Sequence, residues 1–352
     1  MCDALDGSRD QPRTFLNLER YATRILSVDV EEWFHILHSP ATPNVYQWDE
    51  LEPRLPGNVE MLLTFLDEAG AHATFFWLGW AAEKYPKLLR RCRDAGHEIG
   101  CHGYGHLPYA RVGPEVFRED ITRGRAVLQE VLGESVRCFR TPGFVVDGGR
   151  DWFFDVVAEA GYTCDSSTLD DGAASLSRRG RSTGTYVIKT NSGPLVEVPV
   201  SAMMMGGRRL WSFGGGYLRL MPAVLLDRVA ERTARTGRPL VVYLHPRDVD
   251  RQSPCLRLGL WGRFKFVVNR KTTFAKLRRL QNRSRFCSIR EFLTFRSMLE
   301  SANAESRPIV RRDVAIQVTD VARPHEREGT GQRTGYPDTS RVHRTRRGVH
   351  AE

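Results

Sequence analysis

Asp29-Val30-Glu31 sets two carboxylates two residues apart near the start of this 352-residue chain. Alternate residues of a strand share a face, so Asp29 and Glu31 point one way and Val28 and Val30 the other. Glu32 adds a third acid, which should face away from the pair. Further on, His102-Gly103-Tyr104-Gly105-His106 holds two imidazoles four apart, and its glycines ask for a turn. Each piece alone has an ordinary reading: a solvated strand end for the acids, chance spacing for the histidines. Together they make a different pattern. Two imidazoles and one carboxylate leave a coordination position open for water, which is the ligand set of a catalytic zinc rather than a structural one. A divalent ion held there acidifies that water and polarises a carbonyl, and the second carboxylate can act as base. Cys101 should face away from His102 and is not read as a ligand.

Three more stretches carry usable chemistry. Arg140-Thr141-Pro142-Gly143 offers a guanidinium that can grip a carboxylate by paired hydrogen bonds, though Arg before Pro and Gly is also an ordinary turn. Asp165-Ser166-Ser167 reads equally as a turn or helix cap. Leu244-His245-Pro246 puts one histidine at the end of an apolar strand, where a structural role is the commoner one.

The elements that must position these residues alternate. RILSVDVEEW, ATFFWLGW, HEIGCH and VRCFRTPG read as strands, followed by a short fifth around Cys164. Between them lie helical patterns: NVEMLLTFLDEAG, with Asn58 as N-cap and Gly70 as stop, then PKLLRRCRDAG, PEVFREDITRGRAVLQEVLG and DWFFDVVAEAG. Such alternation predicts a parallel α/β fold. TYVIK and LVEVPV then predict a hairpin. The alternation resumes with PAVLLDRVAERTARTG and the apolar strand PLVVYLHP, and the helix TTFAKLRRLQNR and a short strand FCSI close the domain near Leu299. Every candidate residue therefore falls at the end of a strand of one series. The expected organisation is a flexible N-terminus over 1–20, a catalytic domain over 21–299 and a disordered basic tail over 300–352, whose composition cannot bury enough apolar surface to offset ordering entropy.

Composition narrows the partners. The net charge of +10 admits nucleic acid, an anionic membrane or an acidic glycan. No helix-turn-helix, RNP-type strand or zinc-finger spacing favours nucleic acid, and the charge is read as surface and tail. Seven scattered cysteines with no CxxC pair argue against a disulfide framework and for a reducing compartment. The first residues lack the apolar region of a secretory signal, and no apolar run reaches membrane-spanning length. The expected location is the cytoplasm.

The ordered set SVDVEEW, HGYGH, RTPG, CDSS and YLH resembles the polysaccharide deacetylase family (NodB homology, carbohydrate esterase family 4) over about Arg24 to His245. SVDVEEWFH, FGGGYLRLMP, LHPRD and Asn269-Arg270-Lys271-Thr272 further resemble a subfamily with an extra C-terminal region, associated with exopolysaccharide loci and exosortase-type systems. With these the likeness reaches about Leu299. The resemblance implies an α/β fold of the NodB type, a distorted and incomplete (β/α) barrel. It implies a hydrolase that removes N-acetyl groups from a polysaccharide or lipid-linked oligosaccharide and releases acetate. A divalent metal, zinc foremost and cobalt as an alternative, would sit on Glu31, His102 and His106. Asp29 would be the base and Arg140 its orienting residue. Gly143 would offer a backbone N–H to the oxyanion, and His245 would be the general acid, oriented by Asp165. Two departures stand out: many members carry adjacent aspartates where this chain has Asp29-Val30-Glu31, and Arg247 replaces the usual aromatic residue after LHP. The implied partner is an N-acetylated glycan; set beside the expected cytoplasmic location and the basic charge, the expectation is that the glycan is met at the inner face of the cytoplasmic membrane, with peripheral contact to lipid or to polysaccharide assembly machinery. Three rivals remain: an amidohydrolase of a small cyclic amide or ureide, a non-catalytic glycan-binding or assembly protein, and a nucleic-acid binder suggested by charge alone. Acetate release from N-acetylhexosamine oligomers, set against ureide turnover, separates the first. The acid and base residues speak against the second.

Overall fold

A computed structural model describes residues 24–37, 39–145, 152–170, 184–205, 208–282 and 284–305. The expected flexible N-terminus, and the expected tail beyond 305, lie outside the described residues. In chain order the first half holds β1 (Arg24–Val30), α1 (Leu55–Glu68), β2 (Thr74–Trp77), α2 (Gly79–Lys84), α3 (Pro86–Asp94), β3 (Glu98–Cys101), α4 (Pro114–Leu132), β4 (Cys138–Phe139), α5 (Phe153–Glu159) and β5 (Cys164–Asp165). Then follow β6 (Leu169–Asp170), β7 (Tyr186–Thr190), β8 (Gly193–Glu197), β9 (Val200–Met205), β10 (Arg208–Ser212), α6 (Gly215–Leu220), α7 (Ala223–Arg235), β11 (Leu240–Leu244), α8 (Leu260–Val267), α9 (Thr273–Gln281) and α10 (Ile289–Glu305).

Eight strands form one sheet in the order β11-β1-β2-β3-β4-β5-β8-β7, parallel from β11 through β8, with β7 antiparallel at the edge. The sheet curls into the distorted, incomplete (β/α) barrel expected of the sequence. The two faces of β1 sort the core. Leu26, Val28 and Val30 join Phe75, Trp77, Val242 and Leu244 under the helices. Ile25 faces the barrel interior with Phe76, Cys138, Val241 and Tyr243, and Ile289 and Phe292 of α10 fill its lower end. Each such side chain stabilises the fold by about 1.5–3 kcal/mol relative to exposure. Ser27 and Asp29 continue the inner row upward, so the same alternation that buries Ile25 presents Asp29 at the C-terminal mouth, where barrels of this kind build their sites.

Several expected boundaries shift, each for a local reason. Helix α1 begins at Leu55 rather than after Asn58. Pro56 suits the first turn, and the Glu32 carboxylate accepts the Arg54 and Leu55 N–H groups, which leaves Asn58 buried and bonded to Asp250. Strand β4 is two residues long because Pro142 has no N–H and Thr141 N–H goes to Ser167 Oγ instead of a neighbouring strand. FCSI contributes only a single bridge, Cys287 to Ile25. The expected boundary near Leu299 falls inside α10, which runs to Glu305. A second hairpin, β9–β10, with β6 alongside, and the helices α6 and α8 have no counterpart in the sequence reading. The six described cysteines are free thiols, and no described helix is long and apolar enough to cross a membrane.

Candidate metal centre and active site

β1 ends at Val30, and a tight turn with Glu31 N–H bonded to Asp29 C=O carries Glu31 above the strand on the Asp29 side. The HGYGH turn follows β3 and is held from α4. Asp120 accepts the Tyr104 and Gly105 N–H groups at 3.0 and 2.8 Å. Gly103 has φ +79°, and a Cβ there would lie 2.4 Å from Asp120 Oδ2, so the grip requires glycine. His106 takes the left-handed conformation at φ +55°, uncommon for a side chain of this size. The turn thus spends strain to aim both imidazoles at one place.

That place is Glu31 Oε1, which lies 3.2 Å from His102 Nε2 and 2.9 Å from His106 Nε2. One ligand atom from each of the three buried residues falls within 4.8 Å of the others. His102 Nδ1 sits 2.7 Å from the Arg140 carbonyl. An N–H at Nδ1 satisfies that carbonyl and leaves the Nε2 lone pair facing a carboxylate, an arrangement that suits a cation between them. Burial works to raise the Glu31 carboxyl, but His106, Arg247, His245 and His102 around it hold it well below the usual carboxylate range. The donor set therefore fits a divalent ion.

Arg140 is fully buried beside this cluster. Its Nη1 donates to Asp29 Oδ1 at 2.8 Å and to Ser27 Oγ, while Nε and Nη2 bond Ser166. Asp29 and Arg140 are brought together as the sequence suggested. His245, at the end of β11, points Nε2 to within 3.9 Å of Glu31 Oε1. Gly143 lies in the turn after β4 at φ +84°.

Asp165 stands elsewhere. Its carboxylate accepts from Ser167 Oγ at 2.6 Å, and Ser167 in turn holds the Thr141 N–H of the Arg140 turn. The group beside His245 is Asp248, whose Oδ2 accepts the His245 N–H at 2.8 Å and lies 3.2 Å from Nδ1. The reason is local: Pro246 starts a single 3₁₀ turn, and a capping box folds residue 248 back onto residue 245. Burial opposes the Asp248 charge, but Arg219 at 3.1 Å and His245 hold its carboxyl well below the carboxylate range. The LHPRD string contained Asp248, and its spacing of three from His245 was the available signal.

Two further residues take places that the sequence did not assign them. Arg247 Nη1 lies 2.6 Å from Glu31 Oε2, so the residue that replaces an aromatic covers the outer carboxylate oxygen. His35 is buried among Phe34, Trp48 and Trp80 and stacks on His106 at 5.3 Å. Burial keeps its imidazole well below the usual range, hence neutral. A groove of about 490 Å³ opens beside these groups, lined by Leu37, Tyr217, Tyr243, His245, Arg247 and Lys265, within the size range of small-ligand sites.

Two family models match the chain in succession: polysaccharide deacetylase over residues 45–164, and a domain of unknown function (DUF3473) over residues 170–294. The chain is similar to a peptidoglycan-N-acetylglucosamine deacetylase of Bacillus cereus, 33% identical over 92 residues, which cover 26% of this chain and 34% of that protein. It is also similar to a chitooligosaccharide deacetylase of Azorhizobium caulinodans, 36% identical over 89 residues, which cover 25% of this chain and 42% of that one. The matched stretch is thus less than half the length of either curated relative. In fold it is similar to a protein described as a polysaccharide deacetylase from Mycobacterium smegmatis (TM-score 0.51, 20% identity, 79% of this chain and 92% of that one). Another so described, from Pseudomonas aeruginosa PAO1, gives a TM-score of 0.50 at 18% identity over 77% of this chain and 89% of that one.

Proposed function

We propose that this chain, which carries a polysaccharide deacetylase domain of the NodB (carbohydrate esterase family 4) type, hydrolyses N-acetyl groups of a polysaccharide or lipid-linked oligosaccharide and releases acetate. The observation that carries the reading is the convergence of two imidazoles on one buried carboxylate oxygen, with Asp29 and His245 beside it. Glu31, His102 and His106 would hold a divalent ion, with zinc the first choice and cobalt an alternative. Such an ion supplies an acidified water and polarisation of the acetyl carbonyl. Asp29, fixed by Arg140, takes the proton of the attacking water. The Gly143 N–H is assigned to the developing oxyanion. His245, oriented by Asp248, gives a proton to the departing sugar amine, so base and acid are separate groups in separate surroundings. The groove beside His245 accommodates the neighbouring sugars.

The test is acetate release from defined N-acetylhexosamine oligomers before and after chelation, with zinc or cobalt added back. Chelated protein should be inactive and metal should restore it. Full turnover by protein shown to be metal-free would refute the metal assignment, and ureide turnover without acetate release would refute the substrate class. We further propose that the glycan is met in the cytoplasm, at the inner face of the membrane, a reading supported by the surplus of basic residues.

A further inference from the structure

Helix α8, which belongs to the region of unknown function, has one face turned to the groove and one to solvent. Gly262, Lys265 and Phe266 line the groove. The opposite face carries Leu260, 91% exposed, Trp261 at 61%, Phe264 at 44% and Val267 at 46%. At 100° per residue these four span an arc of about 120°, with Arg263 at one flank and Lys265 at the other. They are four of the eleven large apolar side chains exposed among the described residues, gathered into eight positions. The orientation is fixed from below. Buried Arg219 donates to the Lys265, Phe266 and Val268 carbonyls at 2.9, 3.2 and 2.6 Å, and the same guanidinium reaches Asp248. The apolar face is therefore locked outward. Charge along this stretch of chain is one-sided: the forty residues from Arg251 to Arg290 hold no Asp or Glu and twelve Lys or Arg, of which Arg270 and Lys276 are buried and Arg278 and Arg279 pair with Glu68 and Asp227. Arg257 and Arg263 are exposed there.

We infer that the outer face of α8 docks onto an anionic lipid surface and sets the mouth of the His245 groove at headgroup level, where a lipid-linked glycan would present its sugars. A short helix with a broad apolar arc flanked by cations is the form that lies in a membrane interface. Two other occupants fit less well. A sugar platform needs aromatic faces in the groove, whereas Trp261 and Phe264 stack on each other at 5.4 Å and neither lines it. A second copy of the chain would bring Arg257 and Arg263 against their own kind. The inference deepens the deacetylase reading by naming where its substrate is held.

Vesicle binding tests it without catalysis, so the two readings fail separately. The full chain is floated with vesicles of phosphatidylcholine alone and of phosphatidylcholine with phosphatidylglycerol, at low and high salt. Binding is expected to the anionic vesicles, and to fall as salt rises. Changing Leu260, Trp261 and Phe264 together to Ser should weaken it at least about tenfold, since those groups supply the inserted area. A second variant, Arg257→Gln with Arg263→Gln, should weaken it and flatten its salt dependence. Melting by circular dichroism confirms that each variant is folded. Absence of binding to anionic vesicles overturns the inference, as does unchanged binding by the folded Ser variant. So does a Ser variant whose defect is weaker binding of soluble chito-oligosaccharide, or a change in oligomeric state in solution, with vesicle binding intact.

Discussion

Replacing Asp29 by Asn keeps an oxygen for Arg140 to hold but removes the base. The variant should still bind a divalent ion by calorimetry, and its turnover should fall at least about 100-fold, the scale of a lost general base. Near-normal turnover would remove Asp29 from the mechanism. Asp248 and Asp165 give a sharper contrast, because the sequence pointed to one and the structure to the other. Asp248→Asn should lower kcat by about tenfold or more with little change in KM and shift the pH profile, since it alters the partner of His245 Nδ1. Asp165→Asn acts through Ser167 on the Arg140 turn and should leave that profile in place. If the pH profile moves with Asp165 instead, the assignment is reversed. Arg247→Ala leaves the outer Glu31 oxygen without its guanidinium. The loss should fall short of the about 3–5 kcal/mol of a fully uncompensated buried charge, because two imidazoles remain. Divalent metal should then raise Tm more in the variant than in the unaltered protein. At this scale Asp29, Glu31, His102, Arg140 and His245 were legible as candidates because each lies at or just past the end of a strand of one series, and His106 because it shares the HGYGH turn with His102. Asp248 and Arg247 were not, since a 3₁₀ turn sets their direction and strand alternation says nothing about it.

Between elements, register does what spacing cannot. Strands β5 and β8 run parallel with Asp165 opposite Glu197, two carboxyls that lie 32 residues apart in the chain and become neighbours only when the sheet forms. Burial, and Asp165 alongside, push Glu197 well above the usual carboxylate range. The folded chain therefore keeps a proton that the unfolded chain releases near its ordinary pKa of about 4.3. For such a raised group stability is fully present below the unfolded value and is lost as pH rises toward the folded one. Glu197→Gln keeps an oxygen for Thr168 and removes the titration. Denaturant melts of parent and variant across pH read the difference. The stability of the variant relative to the parent should grow as pH rises above about 5, by about 1.4 kcal/mol per pH unit while the folded carboxyl keeps its proton. A flat difference would mean that Glu197 is ionised in the fold. The helices and strands that bury a full face, such as α4 and β11, could be read from periodicity. α8 could not, because all its large apolar residues but Phe266 face solvent and so follow no core-facing pattern.

For the molecule as a whole, the C-terminal region is part of the barrel. Cys287 pairs with β1 through its N–H to Arg24 and its carbonyl to Leu26. Ile289 and Arg290 fasten α10 to the lower ends of β2 and β3: Ile289 N–H to Thr74 Oγ1 at 2.8 Å and Arg290 N–H to Glu98 Oε2 at 2.9 Å. Ile289 and Phe292 then fill the floor of the interior beneath Ile25, Phe76 and Val241. Among the described side chains of α10, only those of this first turn and a half are buried. A helix anchored over so short a stripe gives little periodic signal, which is why a short strand and an end near Leu299 were the natural reading. The consequence is a truncation boundary that differs from the sequence-based one. A chain ending after Glu305 keeps the whole of α10 and these contacts. Residues 306–352 are poor in large apolar side chains, so their removal should change stability by less than about 1 kcal/mol and leave acetate release intact. A chain ending before Ser288 strips the floor, leaves the buried Glu98 carboxylate without its α10 partner and exposes Ile25, and it should fail to fold. Phe292→Ala grades the same effect, at about 3–5 kcal/mol for a buried Phe. Thermal melts of the three proteins decide. A stable, active protein ending at 287 would show that α10 is an accessory to the barrel and that its floor is held by β1 to β3 alone.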